Sequence, residues 1–333
     1  MKIEELAVKN LSQNEVQELF LAQERIAEKY SFLKRYRNAD EYRSLFLVGF
    51  YDEQSELLVI KDGSSLPICG ILSFKKSADW GGNERHHLTV HLAKADVFES
   101  LASCLYHFIS DKLKQHNFIA ITVFDNELDS LVRRFSFKTQ LNAGIYTLKK
   151  SEIDIEILTD AKAKHQTQNS DLHVQYLAAI SEEFIEPYCK LFNEFQEDMP
   201  DVHEDGFVQY VQTPEKEQRS IENFAKHNRT HHCYIIFNQN QEMVAMTNAA
   251  VNNNDPRFPY QFLIGVKERY RGRGIGKWLY ALMYKKLFED VGFEMAFVAH
   301  HPKNKHAIKI SEWVGYKFAH NETTYIISNQ EEK

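Results

Sequence analysis

The chain has 333 residues, a hydrophobic content of 43% and a formal net charge of -7. That length points to two domains with packed cores, and the acidic balance argues against a primary role on nucleic acid, whose phosphates need a basic face. No run approaches the ~20 apolar residues of a membrane span, and the acidic start Met-Lys-Ile-Glu-Glu is unlike a signal peptide, so a soluble, cytoplasmic protein is expected.

A short strand is predicted to end at Val8. Ser12 and Glu15 then form a capping box, with Leu11 and Val16 placed as a hydrophobic staple. Val16, Leu19, Phe20, Ile26 and Ala27 give the helix that follows its buried face. Strands are predicted at residues 45–51, 57–61, 68–74 and 87–92, a helix at 97–113 and a strand at 118–123. Another helix opens at Asn126 and leads to Phe135, Ser136 and Phe137. Residues 161–171 (Ala-Lys-Ala-Lys-His-Gln-Thr-Gln-Asn-Ser-Asp) have little to bury and read as a linker between a domain at 1–160 and one at 172–333.

The second half begins with a strand at 172–177 and a helix at 186–197. Thr213 is a good N-cap and Pro214 is favoured at the first helical position. Strands follow at 233–237, 243–252 and 260–266, then a helix at 275–290 with Leu279, Leu282, Met283 and Leu287 on one face. A strand at 294–299 leads to Asn304, a further helix and a turn through Val314, Gly315 and Tyr316. Cys69, Cys104, Cys189 and Cys233 are scattered and read as reduced thiols, and no spacing of His, Cys and Asp suggests a metal site.

Most of the functional signal lies in residues 263–279, Leu-Ile-Gly-Val-Lys-Glu-Arg-Tyr-Arg-Gly-Arg-Gly-Ile-Gly-Lys-Trp-Leu. Gly272, Gly274 and Gly276 let the backbone turn tightly and approach a ligand closely. The helix that starts here has free amides and a positive dipole end, and Arg271, Arg273 and Lys277 add formal charge, so the loop suits a phosphate or pyrophosphate. It is no P-loop, because Gly276 and Lys277 are followed by Trp278 rather than Ser or Thr and Arg271 occupies the first glycine position. The alternating glycines also lack the gap of a dinucleotide fingerprint, and Glu294 alone does not supply one.

The run Arg271-Gly272-Arg273-Gly274-Ile275-Gly276 fits Arg/Gln-x-x-Gly-x-Gly/Ala at every fixed position. It resembles the coenzyme A pyrophosphate loop of the GNAT superfamily of acyl-CoA N-acyltransferases. Downstream, Asn304, Ala307, a helix and Gly315-Tyr316 resemble a second signature of that family. The resemblance covers residues 262–327 and implies acetyl-CoA or coenzyme A as co-substrate. It implies a pyrophosphate site on Arg271, Gly272, Arg273, Gly274, Ile275, Gly276 and Lys277, a pantetheine strand at Ile264, Gly265 and Val266, and a pantetheine contact at Asn304. A bulge near Gly265 would splay this strand and offer the amide of Gly265 or Val266 to the oxyanion.

The family often places a Tyr seven residues after the Asn to protonate the leaving thiolate; here that position is Ser311, a departure. Gln261 and Asn248 would at most orient water, and His300 and His301 are candidate bases at the splayed edge. Glu194, Glu197, Asp198, Asp201, Glu204 and Asp205 crowd the region that in the family lines the acceptor pocket, and an acidic mouth would attract a cationic small-molecule amine.

The order of elements in the two halves implies an internal duplication: α/β (α+β), with two tandem GNAT-like domains, each a mixed, mostly antiparallel sheet flanked by helices. The first half has Ala93-Lys94-Ala95-Asp96 where the glycine loop would stand and reads as degenerate. Thr213, Pro214, Glu215, Asn248, Pro259 and Gln261 are similar to mycothiol-synthase-like acetyltransferases. The expected protein is an N-acetyltransferase, monomeric or homodimeric, without nucleic-acid or membrane partners. The alternatives are a coenzyme A-binding sensor or scaffold without turnover, motivated by Ser311, and an aminoacyl-tRNA-dependent Fem-type transferase, disfavoured by the intact loop and the acidic charge.

Overall fold

The computed structural model describes residues 2–29, 37–45, 47, 55–61, 68–80, 83–92, 98–116, 118–123, 126–135, 137–200 and 211–328. The elements in chain order are β1 (Lys2–Glu5), α1 (Gln13–Lys29), α2 (Ala39–Leu45), β2 (Ser55–Lys61), β3 (Ile68–Trp80), β4 (Asn83–Leu92), α3 (Phe98–Gln115), β5 (Phe118–Val123), α4 (Asn126–Val132) and β6 (Phe137–Lys149). They continue with α5 (Ile155–Gln168), β7 (His173–Leu177), α6 (Glu182–Glu197), α7 (Pro214–Lys226), β8 (Arg229–Phe237), β9 (Met243–Asn252), β10 (Asp255–Val266), α8 (Ile275–Lys286), β11 (Met295–His300), α9 (Lys305–Val314) and β12 (Lys317–Ser328).

Two compact units result, one from residues 1–142 with 321–333 and one from residues 143–320. The first sheet runs β1-β2-β3-β4-β5-β12, antiparallel except for β4 beside β5. The second runs β7-β8-β9-β10-β11-β6, antiparallel except for β10 beside β11. The plan is the same twice, which is the duplication read from the sequence. What periodicity could not reveal is the exchange of the closing strands: β12 ends the second half of the sequence but completes the first sheet, and β6 ends the first half but completes the second.

Local chemistry explains where the helices start. The Ser12 main-chain N–H donates to Glu15 at 2.8 Å and Ser12 Oγ accepts from Glu15 N at 3.3 Å, which is the expected capping box. Thr213 accepts from Lys216 N at 3.3 Å with Pro214 at the first position of α7. Gly315, at φ 114°, ends α9.

The expected linker is α5. Asp154 caps it, accepting from Glu156 N at 3.0 Å and Ile157 N at 3.1 Å. Its polar composition hides a narrow stripe of Leu158, Ala161 and His165, three buried residues at helical spacing that suffice for a helix packed beside α8. The strand expected at 45–51 begins instead at the end of α2, and its remaining residues, apart from Leu47, lie outside the described residues, as does Ala93-Lys94-Ala95-Asp96.

In the first unit Leu88, Leu105, Ile121, Tyr325 and Ile327 pack in one core under α3 and α4, while Leu19, Ile26, Tyr42, Leu57 and Val59 pack on the other face under α1 and α2. Ending the chain at His320 removes Tyr325 and Ile327, each sealed from solvent. At ~1.5–3 kcal/mol per large apolar side chain, the truncated first unit should lose about 3–6 kcal/mol. Hydrogen exchange would show this as lost protection of β5 amides, and full retention of that protection would contradict the exchange.

Candidate functional site

Strand β10 pairs with β9 as far as Val266 but with β11 only at Tyr260↔Phe297 and Gln261↔Val298. Beyond that pair the two parallel strands part. Ala299 and His300 continue to pair with Ile145 and Gly144 of β6, so β11 has not ended; β10 has left it.

The divergence has a local cause. On β9, Ala249 faces Gln261 and Asn248 faces Leu263, so Phe262 is an extra residue, a bulge. Side chains hold the Leu263 peptide in place. Its N–H donates to Asn248 Oδ1 at 2.9 Å. Its carbonyl accepts from Gln261 Nε2 at 2.7 Å and from Thr247 Oγ1 at 3.1 Å. Gln261 Nε2 also donates to Thr247 Oγ1 at 2.9 Å, and Asn248 Nδ2 donates to the Tyr188 hydroxyl at 2.8 Å. Tyr284 and Tyr316, hydroxyls 2.7 Å apart, close the network behind Gln261. Thr247, Asn248 and Gln261 are all buried.

Three sequence expectations change here. The bulge lies at Phe262, not near Gly265. Gln261 and Asn248 are framework groups sealed in this network, with no reach to a water at the surface. Gly265 serves a close approach: a Cβ there would stand 2.1 Å from the Phe195 ring. The ladder also turns its amide the wrong way. Lys267 N donates to Val244 O at 2.9 Å, and antiparallel pairs alternate, so Lys267 and Gly265 face β9. Ile264 and Val266 direct their main-chain groups into the gap, although the Val266 carbonyl accepts from Arg271 Nε at 2.9 Å.

The glycine loop follows, with Gly272 and Gly274 at φ 78° and 76°. Gly274 is the N-cap of α8 and brings no side-chain cap. Trp278 N reaches Gly274 O at 3.0 Å, so the amides of Ile275, Gly276 and Lys277 precede the first intrahelical bond. Side chains at these positions would collide with the protein itself: a Cβ at 274 would stand 2.2 Å from the His165 ring, and one at 276 would stand 2.8 Å from Ile310.

The loop is pinned from α5. Asn169, fully buried, donates to His165 O at 2.8 Å and to Arg273 O at 3.3 Å, and accepts from Arg273 Nε at 2.9 Å. The Arg273 guanidinium also meets Asp171, and that of Arg271 meets Asp198. Lys277 lies over the Trp313 ring, 5.0 Å from its centroid. Two of the three cations counted from the sequence are thus shared with carboxylates, in largely exposed pairs of the kind that contribute little to stability. Of the acidic cluster, Glu194 meets Lys267 and Asp198 meets Arg271, while Asp201, Glu204 and Asp205 lie outside the described residues.

Asn304 caps α9, its Oδ1 accepting from Ala307 N at 3.2 Å, which accounts for the Asn-x-x-Ala spacing without a ligand and leaves Nδ2 uncommitted by that bond. Ser311 is sealed inside, its Oγ 2.7 Å from His300 Nε2 and 3.3 Å from the Tyr280 hydroxyl. His300, read as a candidate surface base, is buried, and burial pushes its pKa down to about 4. Among the described residues no cluster of His, Cys, Asp and Glu could hold a metal ion, and no helix is long and apolar enough to cross a membrane.

Residues 189–316 match the model of the acetyltransferase (GNAT) family. No curated protein matches the chain by sequence. A tandem GNAT protein from the clavulanic acid biosynthesis pathway superposes with a TM-score of 0.67 at 12% identity, covering 100% of this chain and 99% of its own. A GCN5-related N-acetyltransferase from Sphaerobacter thermophilus does so with a TM-score of 0.62 at 8% identity, over 99% and 97%. Saccharomyces cerevisiae N-myristoyltransferase gives a TM-score of 0.51 at 9% identity, over 98% and 80%. At such identities the likeness is one of fold.

Replacing Gln261 with Leu removes one of two donors to the buried Leu263 carbonyl and should cost about 2–3 kcal/mol in urea unfolding of the second unit. A cost within 0.5 kcal/mol, by the approximate spread of neutral surface changes, would mean the bulge stands without it.

Acid should weaken the second unit as well. Burial is the leading cause that pushes His231, His232 and His300 down to about 4, from an ordinary 6.5. The folded state therefore binds fewer protons than the unfolded chain across that window. The stability these groups confer is complete above about pH 6.5 and is lost as pH falls toward about 4. Urea midpoints measured across this range should fall, and His232→Gln should flatten the fall.

Proposed function

We propose that this chain, with a GNAT acetyltransferase domain at residues 189–316 and the tandem GNAT fold, is an acyl-CoA-dependent N-acyltransferase that moves an acetyl group from acetyl-CoA to a small-molecule amine. The observation that carries the reading is the gap opened between β10 and β11 beyond Gln261, beside a helix start lined with glycine. The gap offers main-chain groups to an extended arm, and the helix start offers amides to a pyrophosphate.

The residues present fit coenzyme A. The amides of Ile275, Gly276 and Lys277 would take the pyrophosphate at a helix start whose positions 274 and 276 leave no room for a side chain. Ile264 and Val266 would pair with the pantetheine arm, and Asn304 Nδ2 would reach it from α9. Acyl-CoA, when bound, supplies a thioester carbonyl activated for attack. The Ile264 amide, turned into the gap just past the bulge, would donate to the oxygen on which charge develops. The acceptor must arrive neutral, because an amine with a pKa near ~10.4 is otherwise protonated and has no lone pair.

A second reading, coenzyme A binding without turnover, draws on Ser311, whose buried hydroxyl stands where the family's pattern has a tyrosine. Calorimetric titration with acetyl-CoA, followed by thiol release over polyamines, aminoglycosides, amino acids and peptides, separates the two. Tight binding with amine-dependent release is expected. Binding without release from any amine would favour the second reading.

Gly274→Ala combines a collision with His165 and a left-handed backbone that costs an L-residue ~1–2 kcal/mol, so coenzyme A affinity should fall at least tenfold by the same titration. Unchanged affinity in a folded Gly274→Ala chain would overturn the loop's assignment.

A further inference from the structure

We propose that His300, oriented by Ser311, donates the hydrogen bond that stabilises the departing sulphur of the acyl thioester. The inference rests on the acyltransferase reading. It fills the place left by the tyrosine that position 311 lacks, and it does so with a side chain from another element.

β11 last pairs with β10 at Val298, and His300 stands two residues further along the same wall, ~7 Å beyond the point of parting at ~3.3 Å per residue. Strand alternation keeps it on the face of Val298. On the opposite wall Phe262 is an extra residue against β9, so Ile264 follows the bulge by two positions as His300 follows Val298 by two. Ile264 and His300 thus lie on the two walls just past the point where β10 and β11 part.

A hydrogen-bond chain stands behind the ring. Ser311 is fully buried, so its hydroxyl cannot itself meet a substrate. It can pass a hydrogen bond outward. The Tyr280 hydroxyl lies 3.3 Å from Ser311 Oγ, and Ser311 Oγ lies 2.7 Å from His300 Nε2. With Tyr280 donating to Ser311 and Ser311 donating to Nε2, the ring proton resides on Nδ1, which has no partner among the described residues. Among the described residues no carboxylate is bonded to the ring. The Tyr146 ring of β6 lies beside it, with ring centroids 5.5 Å apart. Burial keeps the imidazole neutral at physiological pH, so it acts as an N–H donor rather than as an imidazolium acid.

The step balances without a further reactant. The amine nitrogen forms the C–N bond, the C–S bond breaks with its electron pair on sulphur, and His300 Nδ1–H bonds to the resulting thiolate. The proton lost by the amine passes to water, and water later protonates the thiolate.

Two substitutions separate donation from mere packing. His300→Asn places an amide N–H where Nδ1 stood, and His300→Gln places one where Nε2 stood, preserving the bond to Ser311. The inference expects turnover of His300→Asn within about fivefold of the parent chain and a loss of about 10–100-fold in His300→Gln, in kcat rather than in acetyl-CoA affinity. The reverse order would show that only the bond to Ser311 matters and would overturn the inference. Ser311→Ala, which frees the ring to take the other tautomer, should lower kcat about three- to tenfold and be silent in His300→Gln.

A readout independent of turnover is the ultraviolet absorbance of the thiolate of bound coenzyme A. At fixed pH the thiolate fraction should be several-fold larger in the parent chain and His300→Asn than in His300→Gln. Equal fractions in all three would also overturn the inference. Failure of the acyltransferase reading looks different, because the parent chain would then bind no coenzyme A, or bind it and release no thiol with any amine.

Discussion

The site depends on how one peptide, that of Leu263, is hydrogen-bonded. Its N–H and C=O are taken by the side chains of Asn248, Gln261 and Thr247. A parallel strand beside β11 would normally gain a hydrogen bond with each further residue, so continuing the ladder is the default. A bulge held by three buried polar side chains makes departure the better solution. Each of these side chains would itself be costly to bury without a partner, so bulge and network sustain one another. The consequence reaches beyond Leu263, because Ile264 and Val266 then face a gap rather than a strand.

The glycine loop is ordered on the same principle. Asn169 holds Arg273 by both main chain and side chain, and Arg271 bonds the Val266 carbonyl. These arginines, counted from the sequence as phosphate ligands, act first as struts that fix the loop's course. A loop held in one shape loses little conformational entropy when a ligand arrives. His165, packed against Gly274, explains why that position admits no side chain from one direction while its left-handed backbone excludes most from another.

Much of this was legible in the chain. Strand β9 and the start of α8 fall where periodicity put them, and the capping residues Ser12 and Thr213 do what their spacing predicts. Sequence patterns carry this information because caps and buried stripes are local. What local pattern does not carry is set by tertiary partners. Helix α5 buries only three residues, one of them a histidine, so its composition reads as linker. The bulge at Phe262 leaves no mark in the local pattern, since the side chains that fix it come partly from β9. The Asn304–Ala307 spacing is that of a helix cap, a role local enough to stand in the sequence by itself. His300 looked exposed because it ends a strand beside a polar turn, yet the partner that buries it lies 11 residues further on in α9.

The exchange of closing strands bears on why a half without the glycine loop belongs to this fold at all. Thr122 of β5 and Thr324 of β12 share a hydrogen bond across 202 residues of sequence. The first sheet is therefore closed by the last strand of the chain, a pairing that must offset a large loop-closure entropy before it contributes stability. The second sheet is in turn closed by β6, contributed by the first half, and its residues Gly144 to Lys149 pair with the strand that carries His300. A first half lost or rearranged would remove the strand that holds β11 straight while β10 departs. The gap needs two walls, one bent by the Leu263 network and one kept in line by β6. The first half can thus be indispensable to the site through a strand that supplies no ligand of its own.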